Sequence, residues 1–328
     1  MTPVPQDGSD GGNHARDRIG RANETGRKTL KHDLDRALAG ISGILVTPYD
    51  ADGEVAPQKL APIVDRVLGA GVHMPVVNGN TGEFYALTTD EACTMVREVA
   101  GLVGDRAPLL AGVGRGIRDA CRLAKVSAEA GASALMIHQP PDPFVAPRGV
   151  IDYVRAVSDA ADGLPIMLYL RNDAIGTKAI AELCGLPGVK GVKWATPNPM
   201  KLAEAMAACD PSITWVGGLA EVWAPPFYAV GARGFTSGLI NVWPERSVAI
   251  HAALDGGDYD TAGRLIREMR AFEDIRAEEL NGTNVTGVKA ALQALGMDCG
   301  PTRPPSAWPL TTAQQDRLHA FLKSNRLV

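Results

Sequence analysis

Short apolar runs alternate with amphipathic segments along most of the chain. Eight runs have the apolar and β-branched composition that is typical of parallel strands buried on both faces. These runs span residues 41–47, 73–79, 108–114, 134–139, 165–170, 189–194, 213–218 and 234–239. The segments that follow them have the apolar spacing and end signals of helices, at 57–71, 88–103, 117–130, 147–161, 177–184, 200–209, 221–230 and 244–254.

This alternation predicts an α/β protein with a parallel sheet, because parallel strands are joined through crossover helices. Eight strands and eight helices over about 215 residues predict a closed (β/α)8 TIM barrel. A doubly wound open sheet would be favoured by a GxGxxG phosphate loop after the first strand. The Gly-rich stretch 112–116 lacks that spacing and the acidic residue about 20 positions further on.

The barrel pattern leaves one segment at each end of the chain. Residues 1–38 are polar and Gly-rich, and such a sequence cannot bury enough apolar surface to offset its ordering entropy. We therefore expect a disordered N-terminal extension over 1–38, followed by the barrel over 39–255. Residues 256–328 are predicted to form a C-terminal helical region, with helices at 258–280, 285–295 and 312–323.

Composition and charge exclude several classes of protein. The chain has 328 residues, of which 45% are hydrophobic and 21% charged, and its formal net charge is -4. A pI near 5.9 is unlike that of the basic nucleic-acid binders. No run reaches the ~18 consecutive apolar residues that a membrane span needs. We expect neither a nucleic-acid partner nor a membrane partner.

Cysteine and histidine lack the spacing of a metal site. The five cysteines are far apart and include no CxxC pair, so neither a zinc site nor a disulfide framework is indicated. The six histidines show no HxH or HExxH spacing, and we expect no metal. Widely spaced thiols and an N-terminus without an apolar signal segment predict a cytoplasmic protein.

Lys193 is the first candidate for chemistry, because active sites of such barrels lie at the C-terminal ends of the strands. It ends the sixth apolar run, GVKGVKW. Burial would lower its pKa, and a neutral amine can form a Schiff base with a ketone carbon. The alternative is a lysine that faces outward and extends its ammonium group to solvent. Lys190 points to the opposite face, so only one of the two can face the interior.

Other polar residues end the neighbouring strands. The Tyr169 phenol could shuttle protons to and from a substrate, or belong to a plain aromatic residue at the rim. The GNTGE turn at 79–83 could hold a carboxylate with backbone N–H groups and the Thr81 hydroxyl, or be an ordinary turn. Glu83 fits a structural hydrogen bond better than a catalytic acid. His138 could equally be a ligand or a core histidine with its hydrogen bonds satisfied.

Together these stretches resemble the dihydrodipicolinate synthase / N-acetylneuraminate lyase family of Schiff-base (β/α)8 enzymes. The resemblance covers about residues 40–310 and falls at consecutive predicted strand ends. The matching parts are GILVTPYDADGEV, GNTGEFYALTTDE from Gly79, Tyr169, Lys193, GARGFTSGLINVWPE from Gly231 and VKAALQALGM…TRPP ending at Pro305.

The resemblance implies a lyase that needs no cofactor and acts on a 2-oxo acid. Lys193 would condense with C2, and Tyr169 would move protons while the iminium acts as an electron sink. The expected substrate-binding residues are Gly79, Asn80, Thr81, His138, Arg171, Thr236 and Ser237. The resemblance also implies a homo-oligomer, either a dimer or a tetramer.

Several departures from the family pattern bear on the substrate. Asn80 stands where the synthases and lyases usually have a hydroxyl residue. The stretch 138–144, HQPPDPF, lacks the relay tyrosine of the synthases. Ala174 falls near the position of their substrate-clamping arginine. Trp194 stands where the family usually has an acidic residue, so the electrostatics around the lysine differ.

The fifth strand end points to one subfamily. The stretch YLRNDAI from Tyr169 resembles the YxRxNA stretch of 5-dehydro-4-deoxyglucarate dehydratases, with Asn172 and Asp173 transposed. Those enzymes dehydrate and decarboxylate a sugar diacid, whose distal carboxylate Arg171 could hold. The leading hypothesis is therefore a dehydratase of a 2-oxo deoxy sugar acid. The alternatives are a pyruvate-dependent aldolase or synthase and, from another class, a non-catalytic barrel that binds 2-oxo acids.

Overall fold

Eight parallel strands close into a barrel in chain order, with β1 paired to both β2 and β8. The structure is a computed structural model that describes residues 1–2, 34–142, 144–304 and 308–328. The strands are β1 Ile41–Ile44, β2 Met74–Val77, β3 Leu110–Val113, β4 Ala134–His138, β5 Ile166–Leu170, β6 Val189–Trp194, β7 Thr214–Gly217 and β8 Phe235–Ser237. The predicted (β/α)8 barrel is confirmed, and each strand lies within the apolar run that predicted it.

Helices cover the outside of the barrel and continue beyond it. In the described part of the chain they are α1 (34–38), α2 Ala61–Gly69, α3 Thr89–Val103, α4 Ile117–Glu129, α5 Pro147–Ala160, α6 Thr177–Cys184, α7 Pro199–Ala207, α8 Ala224–Ala229, α9 Pro244–Asp255, α10 Tyr259–Asn281, α11 Asn284–Ala294 and α12 Thr312–Ser324. The helix predicted at 221–230 begins only at Ala224. The two prolines that follow Ala224 lack an N–H group and are accommodated in the first helical turn, so α8 starts there.

The α1 helix closes the barrel interior near the start of β1. Leu34, Ala37 and Leu38 are buried and form one cluster with interior residues such as Met74 and Met136. The prediction of a disordered extension is therefore wrong for residues 34–38, because their apolar residues at helical spacing were hidden within a long polar segment. Residues 3–33, the rest of that extension, lie outside the described part of the chain.

The C-terminal helices bring charged side chains back to the end of β2. Lys289 on α11 forms an ion pair with Glu83, and Arg303 after α11 forms one with Glu91 on α3. The predicted C-terminal region is thus helical where it is described, and it braces the turn that follows β2. In the described ranges, no helix has both the length and the apolar character needed to cross a bilayer.

Candidate active site

Lys193 lies inside the barrel. It sits on β6 in register with Tyr169 on β5, and only 3% of its surface is exposed. Lys190 on the same strand is exposed. The alternation of side chains along β6 therefore puts Lys193 on the interior face and Lys190 on the outer face.

The Lys193 amine faces an aromatic ring. Its Nζ lies 3.8 Å from the centroid of the Tyr169 ring. Burial lowers the pKa of Lys193 to about 7, and the Arg171 guanidinium acts in the same direction. A large fraction of the amine is therefore unprotonated near neutral pH, which is the form that attacks a carbonyl carbon.

The Tyr169 phenol is buried beside this amine. Burial raises the pKa of Tyr169 to about 12, so the hydroxyl is protonated at neutral pH. Its oxygen accepts a hydrogen bond of 2.9 Å from Asn80 Nδ2. An N–H group that points at the oxygen stabilises a phenolate more than a phenol. The Tyr169 phenol, with the Asn80 N–H group donating to its oxygen, can therefore release a proton and take it back.

The GNTGE turn is packed tightly against β1. Residues Asn80–Gly82 form a single 3-10 turn, and Thr81 is buried. A Cβ on Gly79 would lie 2.5 Å from Ile44 Cγ2, and one on Gly82 would lie 2.9 Å from the Leu45 carbonyl oxygen. Glycine is required at both positions, because any side chain would push the turn away from the strand end.

Glu83 anchors the turn to the C-terminal region of the chain. Its backbone has a positive φ of 54°, and its carboxylate lies 2.7 Å from Lys289 Nζ. The Arg303 N–H donates to the other carboxylate oxygen at 2.8 Å. Both side chains of the ion pair are almost fully buried. These contacts give Glu83 a structural role in holding the turn.

His138 lies between Tyr169 and a second tyrosine, Tyr85. Its Nε2 is 3.0 Å from the Asn78 carbonyl oxygen, and its Nδ1 is 3.4 Å from the Tyr85 hydroxyl. The ring stacks on Phe84 at 4.5 Å between centroids. Burial lowers the pKa of His138 to about 3, with Lys193 contributing, so the imidazole is neutral. His138 is therefore a fixed polar group in the site and carries no charge.

Tyr85 is the site residue that the sequence analysis missed. It follows Glu83 by two residues in the GNTGEFY stretch, and the resemblance covered that stretch without assigning the tyrosine a role. A signal was available, since Tyr85 sits between the GNTGE turn and α3, at a strand end. Tyr85 is 44% exposed, although its hydroxyl lies 3.4 Å from the buried His138.

Arg171 follows β5 at the rim and is exposed. The Gln139 side-chain oxygen accepts hydrogen bonds from the backbone N–H groups of Arg171 and Asn172, at 2.8 Å and 2.9 Å. Arg171 lowers the pKa of Lys193 and opposes the raised pKa of Tyr85, so its guanidinium lies near both groups. It is placed to hold an anion over the site.

The two predicted residues on β8 differ in their surroundings. Ser237 donates a 2.5 Å hydrogen bond to Glu221, and its oxygen lies 3.1 Å from that of Ser247 on α9. This network corrects the expectation that the Ser237 side chain binds substrate, because the hydroxyl points outward to α9. Thr236, the preceding residue, is buried on the alternate face of the strand.

A sequence profile described as the dihydrodipicolinate synthetase family matches residues 37–325. The chain belongs to this family. Its members are lyases of the class I aldolase type, so the protein is an enzyme. The resemblance found in the strand-end motifs is therefore confirmed.

Individual relatives in the family carry different names. The chain is 30% identical over 297 residues to a 4-hydroxy-tetrahydrodipicolinate synthase of Exiguobacterium sp., covering 88% of this chain and 99% of the relative. It is 29% identical over 279 residues to a probable 5-dehydro-4-deoxyglucarate dehydratase of Rhizobium rhizogenes, covering 83% and 91%. The crystal structure of dihydrodipicolinate synthase from Bacillus clausii matches with a TM-score of 0.86 and 35% identity, covering 89% and 99%.

The family assignment gives the reaction class, a lyase, and does not determine the substrate. The described residues include no group of three or more His, Cys, Asp or Glu arranged to hold a metal ion. The polar groups that do converge are an amine, a phenol, an amide and a neutral imidazole, carried by Lys193, Tyr169, Asn80 and His138. This set is suited to carbonyl and proton-transfer chemistry.

Proposed function

We propose that this member of the dihydrodipicolinate synthetase family forms a Schiff base between Lys193 and a 2-oxo acid. We further propose that it dehydrates a 2-oxo deoxy sugar acid of the 5-dehydro-4-deoxyglucarate type, without a cofactor. The observation that carries the proposal is a buried amine, with its pKa lowered to about 7, in contact with the Tyr169 ring at 3.8 Å. An amine in this state is a nucleophile at neutral pH.

The reaction begins with attack of the neutral Lys193 amine on C2. The Tyr169 phenol protonates the carbinolamine hydroxyl, which leaves as water, and an iminium remains. The resulting phenolate, stabilised by the Asn80 N–H group, removes a proton from C3 and leaves an enamine. The enamine then expels the C4 hydroxyl, which takes the proton back from Tyr169 and leaves as water. The intermediate then loses its distal carboxylate as CO2, and the electron pair of the broken bond passes through the new C3–C4 double bond to the iminium nitrogen. A proton from solvent adds at C3 and the C5 hydroxyl proton moves to C4, which gives the iminium of an aldehyde. Hydrolysis of this iminium restores the free amine, and the proton released returns to the Tyr169 phenolate.

The substrate carboxylate next to the carbonyl is assigned to the GNTGE turn. Thr81 supplies a hydroxyl there, Gly79 and Asn80 supply the close backbone, and Thr236 faces the same interior from β8. Compact backbone turns of this kind bind anions through their N–H groups. A small 2-oxo acid can thus be held by local groups although the whole chain carries a net charge of -4.

The choice of a dehydratase rests on Arg171. Gln139 accepts a hydrogen bond from the Arg171 backbone at the rim of the site, from where the exposed guanidinium can bind a second carboxylate at the far end of a diacid. The synthase or aldolase reaction is the second candidate. It is favoured by the relatives that carry the synthase name, one of them 33% identical over 275 residues. The two candidates differ in whether the enamine loses a hydroxyl group or attacks an aldehyde.

The cellular location of the protein and its oligomeric state are also proposed. We place the protein in the cytoplasm, since the described cysteines are free thiols, three of them buried. We propose that it assembles as a homodimer or homotetramer, as members of this family commonly do.

The proposed function is tested by product release from a small panel of 2-oxo acids. With a 2-oxo-4-hydroxy sugar diacid, the protein should release water and CO2, and Lys193→Ala should abolish both. Lys190→Ala, which changes an exposed lysine on the same strand, is the matched control and should react normally. Turnover of pyruvate with aspartate semialdehyde alone would replace the dehydratase with the synthase. Absence of any reaction and of any adduct would leave a barrel that only binds.

A further inference from the structure

Tyr85 and Arg171 form a pair of polar groups at the rim of the site. Arg171 is exposed at the rim and opposes the rise in the pKa of Tyr85 that burial causes. Two ring-to-ring steps, of 5.2 Å and 5.7 Å, lead from Tyr169 through His138 to Tyr85. A substrate bound to Lys193 therefore needs a tail beyond its carbonyl carbon to reach the Tyr85 hydroxyl.

His138 fixes the direction of the Tyr85 hydroxyl. The Asn78 carbonyl oxygen can only accept, so the His138 Nε2 carries the proton in the 3.0 Å hydrogen bond between them. In a neutral imidazole the other nitrogen, Nδ1, is then an acceptor. The Tyr85 hydroxyl, 3.4 Å from Nδ1, donates its proton to it. Because the Tyr85 hydroxyl donates to His138, its oxygen is left able to accept a hydrogen bond from a substrate.

The tyrosine is also held from outside the site. The Arg115 guanidinium donates to the carbonyl oxygens of Phe84 and Leu87, on either side of Tyr85, and it lies 4.7 Å from the centroid of the Phe84 ring. Tyr85 therefore extends into the site from a turn that is clamped on both sides. A polar group held in this way contributes to binding without a large cost of ordering.

The other member of the pair is positioned by the residue next to His138. The Gln139 oxygen accepts from the backbone N–H groups of Arg171 and Asn172. Two consecutive residues, His138 at the end of β4 and Gln139 after it, therefore contact both groups at the rim. His138 contacts the Tyr85 hydroxyl, and Gln139 contacts the Arg171 backbone. The rim of the site therefore carries one hydrogen-bond acceptor, the Tyr85 oxygen, and one cation, the Arg171 guanidinium.

We propose that Tyr85 is a specificity-determining residue, whose oxygen accepts a hydrogen bond from a hydroxyl group on the tail of the 2-oxo acid. Arg171 binds an anionic group on the same tail. The preferred substrate class is therefore a hydroxylated 2-oxo diacid. A carboxylate alone satisfies the arginine and not the tyrosine, because a carboxylate has no proton to give. This inference rests on the proposed Schiff-base function.

The test compares three acids that differ in their tails. Pyruvate has no tail, 2-oxoadipate has a carboxylate, and 5-hydroxy-2-oxoadipate has both a carboxylate and a hydroxyl group at C5, beyond the C4 position that reacts. Each is trapped on the protein with borohydride, and its half-saturating concentration is measured relative to that of pyruvate. In Tyr85→Phe the ratio for the hydroxylated acid should rise about three- to tenfold, the loss of one hydrogen bond, while the ratio for 2-oxoadipate stays constant.

Two further variants separate the possible outcomes. Arg171→Gln should raise both ratios. Tyr153→Phe should change neither, because Tyr153 lines a cavity together with Tyr85 but its hydroxyl donates to the Arg115 carbonyl oxygen. Equal ratios in Tyr85→Phe and the wild type, with normal trapping of pyruvate, would overturn this inference alone. Failure of the wild type to trap any of the three acids would remove the proposed function, and this inference with it.

Discussion

Replacing Lys193 with methionine should make the protein more stable while it removes activity. Methionine has a similar length and fills the same interior space without a charge. The buried ammonium is costly because it has been taken out of water into an interior formed largely by aromatic and apolar groups. The size of that cost can be worked out from the shift in the pKa of Lys193.

The pKa of Lys193 falls from 10.5 to about 7 on burial. At ~1.4 kcal/mol per unit, this shift corresponds to about 5 kcal/mol against the charged form in the folded protein. The folded pKa lies below the unfolded one, so between about pH 7 and pH 10.5 the unfolded chain binds more protons and stability rises with pH. Below pH 7 both states are protonated and the full cost applies. At pH 9 about 2 kcal/mol of it remains.

The stability advantage of Lys193→Met over the wild type should therefore shrink by about 3 kcal/mol between pH 6 and pH 9. Urea denaturation followed by tryptophan fluorescence measures it, at one protein concentration for all samples. Lys190→Met is the matched control, since that side chain is exposed and its replacement should change stability by less than about 0.5 kcal/mol at each pH. An advantage of Lys193→Met that is the same at pH 6 and pH 9 would refute the account of a desolvated amine.

Three more predictions follow from the site. The rate of adduct formation at Lys193 should rise with pH and be half-maximal near pH 7, because deprotonation creates the nucleophile; a flat rate from pH 5 to pH 9 would count against this. Lys289→Met should cost about 3–5 kcal/mol in denaturant titrations by leaving the Glu83 carboxylate buried without its cation, and adding Glu83→Gln should recover much of that loss. Tyr169→Phe should slow both adduct formation, in which the phenol protonates the carbinolamine, and turnover, the latter by about 10²–10⁴, and Asn80→Ala should show a smaller loss in both; wild-type rates of both steps in Tyr169→Phe would contradict a role in proton transfer.

The barrel and its central lysine could be predicted because they depend on local periodicity. Continuous apolar runs between Gly and Pro identify buried parallel strands wherever those strands lie in space. The two-residue period of a strand then allows only one of Lys190 and Lys193 to face inward. The family motifs identify Lys193 as the inward-facing lysine, and the structure places Lys193 in the interior.

The rest of the site depends on contacts between distant parts of the chain. The ion pair of Glu83 with Lys289 joins two elements about 200 residues apart, and no local pattern announces it. Tyr85 is placed by His138, which comes from a different strand end. Ser237 fitted the family motif, yet its hydroxyl is used by Glu221 on the outer side of the barrel. The motif alone does not determine to which face of the barrel the side chain of a strand's last residue points.

The proposed reaction requires a covalent imine between Lys193 and a 2-oxo acid. It is tested most directly by treating the protein with pyruvate and borohydride, digesting it, and locating the added mass by tandem mass spectrometry. We expect a single modified lysine, Lys193, and no modification in Lys193→Ala. Modification of Lys190 or another lysine with Lys193 untouched, or no added mass at any pH between 6 and 9, would contradict it.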